Sequence, residues 1–171
     1  AYLHLIEQLK KQIRAIDTEV RRLIESDPTF KEMLLLLLSV PGVGLLLASH
    51  FILLAQFSLE YKLLASFLGI APHEHSSGTS VYKPATSRHF GPPAIRKLLY
   101  LAACSVCTHR PQFRTYLARK TQQGKPARLV LNNVENKLIR IMCAVLSSKT
   151  AFIESYHSVQ PLALQKALTV S

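Results

Sequence analysis

A run near the middle of the chain, His75-Ser76-Ser77-Gly78-Thr79-Ser80, sets serines in a polar, glycine-containing context with Lys83 and Arg88 close behind. Serine attack on a phosphodiester needs such cations, because negative charge builds on the phosphoryl oxygens as the new bond forms. The same residues suit an ordinary turn, and spacing alone does not choose among the serines. The rival chemistry, phosphoryl transfer by two metal ions, needs clustered carboxylates. Beyond residue 60 the chain has only Glu74, Glu135 and Glu154, and no local pair forms such a cluster. Cys104 and Cys107 lie three apart in an apolar run, and Cys143 has no companion at short spacing, which reads as buried thiols rather than zinc ligands. His73 and His75 lack a third ligand nearby. The expected metal set within this chain is therefore none.

A second candidate is the turn Pro41-Gly42-Val43-Gly44 between apolar runs at 33–40 and 45–55. Glycines let backbone approach a phosphate closely, and the following helix offers free N–H groups and the positive end of its dipole. That describes a helix-hairpin-helix, a sequence-independent phosphate grip. A plain pair of antiparallel helices with a glycine-rich turn fits the spacing equally well.

The charge favours a polyanionic partner. The 171 residues carry 21 Lys and Arg against 10 Asp and Glu, a net of +11. Residues 1–60 hold six basic and seven acidic groups, whereas residues 61–171 hold fifteen basic and three acidic. A basic excess so concentrated points to phosphate contacts more than to an evenly solvated surface. A membrane span is excluded on pattern, since Pro41-Gly42-Val43-Gly44 interrupts the apolar stretch short of the ~20 residues needed. No secretory leader layout opens the chain. An odd count of three Cys makes no disulfide framework, so a reducing, cytoplasmic setting is expected.

The elements that must position these residues are helical. Ile6, Leu9, Ile13, Ile16, Val20 and Leu23 alternate spacings of three and four, a heptad seam with charges between. We read 1–27 as a coiled-coil segment that brings copies of the chain together, starting without a cap and with Ala1 rather than Met, as in a piece of a longer protein. Asp27-Pro28 restarts the helix. A compact helical unit is expected over 28–160, with the helix-hairpin-helix at 33–55 and a long, breaker-rich serine loop at 71–93. Further helices are expected at 59–69, 94–109, 113–122 and 127–146, the last with apolar positions Val130, Val134, Leu138, Ile141, Met142 and Val145. Residues 161–171 read as a tail. The class is mainly α.

The order of motifs carries a resemblance. Ser39-Val40-Pro41-Gly42-Val43-Gly44 is followed by Leu64-Ala65-Ser66-Phe67-Leu68-Gly69-Ile70-Ala71-Pro72 and Ser77-Gly78-Thr79-Ser80. Ser87-Arg88 with Gly91 comes next, then Ile95-Arg96-Lys97-Leu98-Leu99-Tyr100 and Gly124-Lys125-Pro126. Over residues 34 to 148 this resembles the C-terminal domain of the "IS one-ten" insertion-sequence transposases, relatives of the Piv DNA invertase. The resemblance implies a mobile-element recombinase whose serine nucleophile falls on Ser77 and whose following basic positions fall on Lys83, Arg88 and Arg96. It also implies a RuvC-like half with Mg²⁺ outside this chain, DNA as substrate, a bridge RNA as guide, and a homo-oligomer. Two departures stand out: the segment after Ala55 is several residues short, and Ser87-Arg88-His89-Phe90-Gly91 has one extra residue and no Asn where the family has Ser-Lys-x-Gly-Asn. The alternative reading is a non-catalytic helix-hairpin-helix module in which the serine segment only positions phosphate.

Overall fold

The structure, a computed structural model, describes residues 2–77, 81–87 and 91–154, with side chains described for 2–71 and 91–154. The described elements run α1(Tyr2–Glu25), α2(Pro28–Leu38), α3(Leu45–Ala55), α4(Tyr61–Phe67), β1(Pro72–Ser77), β2(Val81–Ser87), α5(Pro93–His109), α6(Pro111–Gln122) and α7(Ala127–Ser148). The class is mainly α, as the apolar periodicity predicts.

The break between α1 and α2 follows from its residues. Asp27 caps α2, its Oδ1 accepting from the backbone N–H of Thr29 at 2.7 Å and of Phe30 at 3.2 Å. Pro28 fills the first helical position, where no N–H is needed. At the other end of the unit, Gly69 takes φ +66 just past α4, and Ile70 N–H reaches the Ala65 carbonyl at 3.0 Å while Gly69 N–H reaches Ser66 at 3.0 Å. This pair of bonds closes α4 and redirects the chain toward β1.

One core joins the helices. Leu34 and Leu37 of α2, Ala48 and Phe51 of α3, Leu64 of α4, Leu99 and Val106 of α5 and Val134, Leu138 and Met142 of α7 are buried together. Of the apolar positions expected in the last helix, all are buried except Ile141, which is half-buried. The Ser39 hydroxyl, at the α2–α3 turn, accepts from Phe152 N–H at 2.8 Å and fastens the segment after α7 to that turn. No helix among the described residues is long and apolar enough to cross a membrane.

One feature differs from the sequence expectation. The stretch expected as a loop at 71–93 contains an antiparallel two-stranded ribbon, β1 against β2. Its pairs run from Pro72 with Ser87 and His73 with Thr86 to His75 with Lys83 and Ser77 with Val81. Between the second and third of these, β2 carries one residue more than β1, in the segment Pro84-Ala85. Such a bulge is where a strand tolerates proline, which has no N–H for the ladder. The heptad seam of α1 stands largely in solvent in the single chain: Ile13 is 57% and Ile16 62% exposed. Toward its C-terminal end, at half-buried Asp17, Val20 and Ile24, α1 rests on the body.

Candidate nucleic-acid interface

The ribbon is anchored at one place. Its entry follows Ile70, whose carbonyl accepts from the side-chain amides of Asn132 at 2.9 Å and Asn136 at 3.0 Å, both on α7. Its exit reaches Gly91, at φ +114, so close to the end of α4 that a Cβ there would lie 2.5 Å from the Phe67 carbonyl oxygen. A side chain at 91 would force the end of α4 and the start of α5 apart. Ser77 is the last residue of β1, and Lys83 pairs with His75, so positions 75, 77, 81 and 83 share one face of the ribbon by the two-residue period of a strand. The connection 78–80 and Arg88 lie outside the described residues.

Arg96 sits half-buried in the first turn of α5, just after the ribbon returns. Where α5 packs on α7 a carboxylate is buried: Glu135 is 7% exposed. Burial pushes its pKa up to about 7, with the positive charges of Arg96 and Arg128 pulling the other way. The Tyr100 phenol of α5 is shifted upward, first by its hydrogen bond and charge coupling with Cys104 and by desolvation, with the charge of Arg128 opposing and that of Glu135 adding. Sequence reasoning missed Glu135, Asn132 and Asn136. Position 135 lies on the stripe of Leu131, Leu138 and Met142, so an acid there was the available signal.

The cationic surface extends along α6 and α7. Arg114, Arg119, Lys125, Arg128, Lys137 and Arg140 are exposed. Several lie over aromatic rings: Arg140 is 4.5 Å from the Tyr61 centroid, Lys137 is 5.7 Å from that of Phe113, and Arg119 is 5.9 Å from that of Tyr116. Rings that hold cations in place reduce the ordering needed when a phosphate arrives.

The turn 41–44 divides its residues between two tasks. Val43 is buried in the core and Pro41 is half-buried. Gly42, at φ +80, faces α5: a Cβ would meet Val106 Cγ1 at 2.7 Å and the Ala102 carbonyl at 3.0 Å. Its closeness therefore serves packing against α5, as a plain glycine-rich turn between two helices would use it. Gly44, the N-cap of α3, has open space around its Cα. A cavity of about 330 Å³ adjoins this turn, and Asp17 of α1 shares its lining with Gly42, Gly44 and Leu98.

The thiols are free. Cys107 and Cys143 are buried and Cys104 is half-buried; burial pushes the Cys143 thiol up to about 11. Among the described residues no three His, Cys, Asp or Glu converge as a metal ion requires. A two-metal centre of carboxylates does not fit these described residues.

Comparison with known proteins gives one consistent result. Residues 34–118 match the sequence model of the Transposase IS116/IS110/IS902 family. Over 156 residues the chain is 28% identical to the pilin gene-inverting protein of Moraxella lacunata, covering 89% of this chain and 48% of that protein. The namesake protein of Moraxella bovis gives the same figures. Over 148 residues it is 29% identical to the "Insertion element IS110 uncharacterized 43.6 kDa protein" of Streptomyces coelicolor, covering 85% of this chain and 35% of that protein. The chain thus spans about half, or less, of the length of these relatives.

Proposed function

Because residues 34–118 are a transposase domain of the IS116/IS110/IS902 family, we propose that this chain is the DNA-gripping, nucleophile-bearing part of a mobile-element recombinase. The observation that carries the reading is the ribbon. Ser77 ends β1, Lys83 lies on the same face, and the ribbon is followed directly by α5, which carries Arg96 in its first turn. A serine raised on such a ribbon beside a cationic helical body suits attack on a DNA phosphodiester.

In that step the Ser77 Oγ bonds to phosphorus, the bond from phosphorus to one sugar oxygen breaks, and the serine proton passes through a base to the departing hydroxyl. A phosphoserine ester remains until a hydroxyl of a second strand displaces the serine. Lys83, Arg88 and Arg96 offset the charge on the phosphoryl oxygens. Pro41, Gly42, Val43 and Gly44 build the turn that presents the start of α3, where Gly44 is the position open to a phosphate. The base and any Mg²⁺ belong to a RuvC-like half outside this chain. A bridge RNA as guide, association of copies through α1 and a place at the cytoplasmic nucleoid follow from the same reading.

The test is a trapped reaction with the full-length recombinase. Mass spectrometry should find nucleotide on the peptide containing Ser77, and Ser77→Ala should abolish cleavage while DNA retention survives. An adduct on Ser76 or Ser80, or full activity in Ser77→Ala, assigns the nucleophile elsewhere. The absence of any adduct from an active enzyme returns the chain to a non-catalytic binding module.

A further inference from the structure

We propose that α1 pairs with the α1 of a second copy of this chain in antiparallel register, each Ile13 stacking on the partner's Ile16 and each Lys10 facing the partner's Asp17. The inference rests on the association through α1 read above and adds its direction and its register.

The residues flanking the seam choose the direction. With Ile6, Ile13 and Val20 at the a positions and Leu9, Ile16 and Leu23 at d, one flank (e) carries Leu3, Lys10, Asp17 and Ile24. The other flank (g) carries Leu5, Gln12 and Glu19. Five of the six seam residues are 46–62% exposed and Val20 is half-buried, so the chain itself leaves the stripe open. Antiparallel layers of Ile6 with the partner's Leu23, Leu9 with the partner's Val20 and Ile13 with the partner's Ile16 use all six. That register sets e against e. Leu3 then meets the partner's Ile24 and Lys10 the partner's Asp17, apolar on apolar and cation on anion, each contact occurring twice by the two-fold symmetry. Parallel helices set g against e instead: Leu5 would face the partner's Lys10 and Glu19 the partner's Ile24, and no charge would meet its opposite. Among the described residues no ion pair engages Lys10 or Asp17, whereas Glu19 is taken by Arg22 at 2.6 Å. The flank that rests on the body at Asp17 and Ile24 retains accessible surface there. A shared rod of 24 residues, about 36 Å long, then carries one helical body at each end.

The test is sedimentation of the 171-residue chain at low salt, for wild type, Lys10→Glu, Asp17→Lys, the double variant and an equal mixture of the two single variants. Exposed ion pairs are weak one at a time. Each single variant, however, turns two of them from attraction to repulsion and should weaken the dimer roughly tenfold. The double variant and the mixture both restore opposite charges at each contact, and both should recover the wild-type affinity within about twofold. Recovery in the mixture is specific, since a general effect of charge or of misfolding would persist there. No loss in the single variants, or a loss that the mixture does not repair, overturns the proposal. Cross-linking decides the direction even if Asp17→Lys does not fold. Antiparallel pairing sets the two copies of position 9 eleven residues apart along the rod, about 16 Å. Leu9→Cys should therefore form no disulfide with itself on oxidation, and should form one with Val20→Cys when the two are mixed. A disulfide joining two copies of Leu9→Cys marks parallel helices and overturns the proposal. A wild-type chain that is monomeric at high concentration overturns association through α1 and this register together.

Discussion

A carboxylate that is 7% exposed with a pKa of about 7 makes stability depend on pH in a direction opposite to most acidic residues. Unfolded, Glu135 titrates near the ordinary value of 4.5; folded, it holds its proton up to about 7. Between those values the native state binds more protons than the unfolded one, so this residue's contribution to stability falls as pH rises. Each pKa unit corresponds to about 1.4 kcal/mol. Glu135→Gln should therefore match the wild type near pH 4.5 and exceed it by up to about 3 kcal/mol at pH 8. Urea unfolding at the two pH values reads the difference directly. Parallel stability profiles for the two proteins would show that the carboxylate is not desolvated as its burial implies. Gly42 gives a second lesson at this scale. A glycine in a tight turn announces a close approach, but the residue type does not say to what, and here it is to Val106 and Ala102 of α5.

At the scale of elements, α1 is the helix least accounted for by its own chain. Its seam is a regular heptad, yet Ile13 and Ile16 stay more than half exposed. Burying such a stripe between two copies would remove apolar surface from water at roughly 25 cal/mol per Å². The chain should sediment as a dimer or larger, and replacing Ile13 and Ile16 by Lys should give a monomer with unchanged helical content. A wild-type chain that stays monomeric at high concentration would leave the stripe without a partner of its own kind. The helices were readable because their apolar residues recur at three and four and because Asp27-Pro28 and Gly69 mark their limits. The ribbon was not. Pro72-His73-Glu74-His75-Ser76-Ser77 has no β-branched or aromatic residue, and Pro84 argues against a strand unless a bulge receives it. Pairing and the anchor at Ile70 make these strands, and neither is local information. The proposal of Ser77 comes only from the order of several motifs, since its neighbours alone describe a turn equally well.

At the scale of the molecule, charge sets the prediction. Twelve basic groups lie between Lys83 and Arg140 against one acid, Glu135, which is buried. If about six of them meet phosphates, the log–log salt slope for duplex DNA should be roughly −5, with little preference for sequence. A slope near zero, or binding confined to one sequence, would show that the basic surface does not follow the backbone. The twin anchorage of the ribbon has a further consequence for how such a molecule can change. Its strands leave at Ile70 and come back at Gly91 against the end of α4, so each described end is fixed to the helical body. Doubling the length of a flexible connection adds only about 0.6 kcal/mol of closure entropy. Insertions between residues 77 and 81 can therefore lengthen the ribbon without moving either anchor, and the placement of Ser77 can drift while the helical body keeps its sequence.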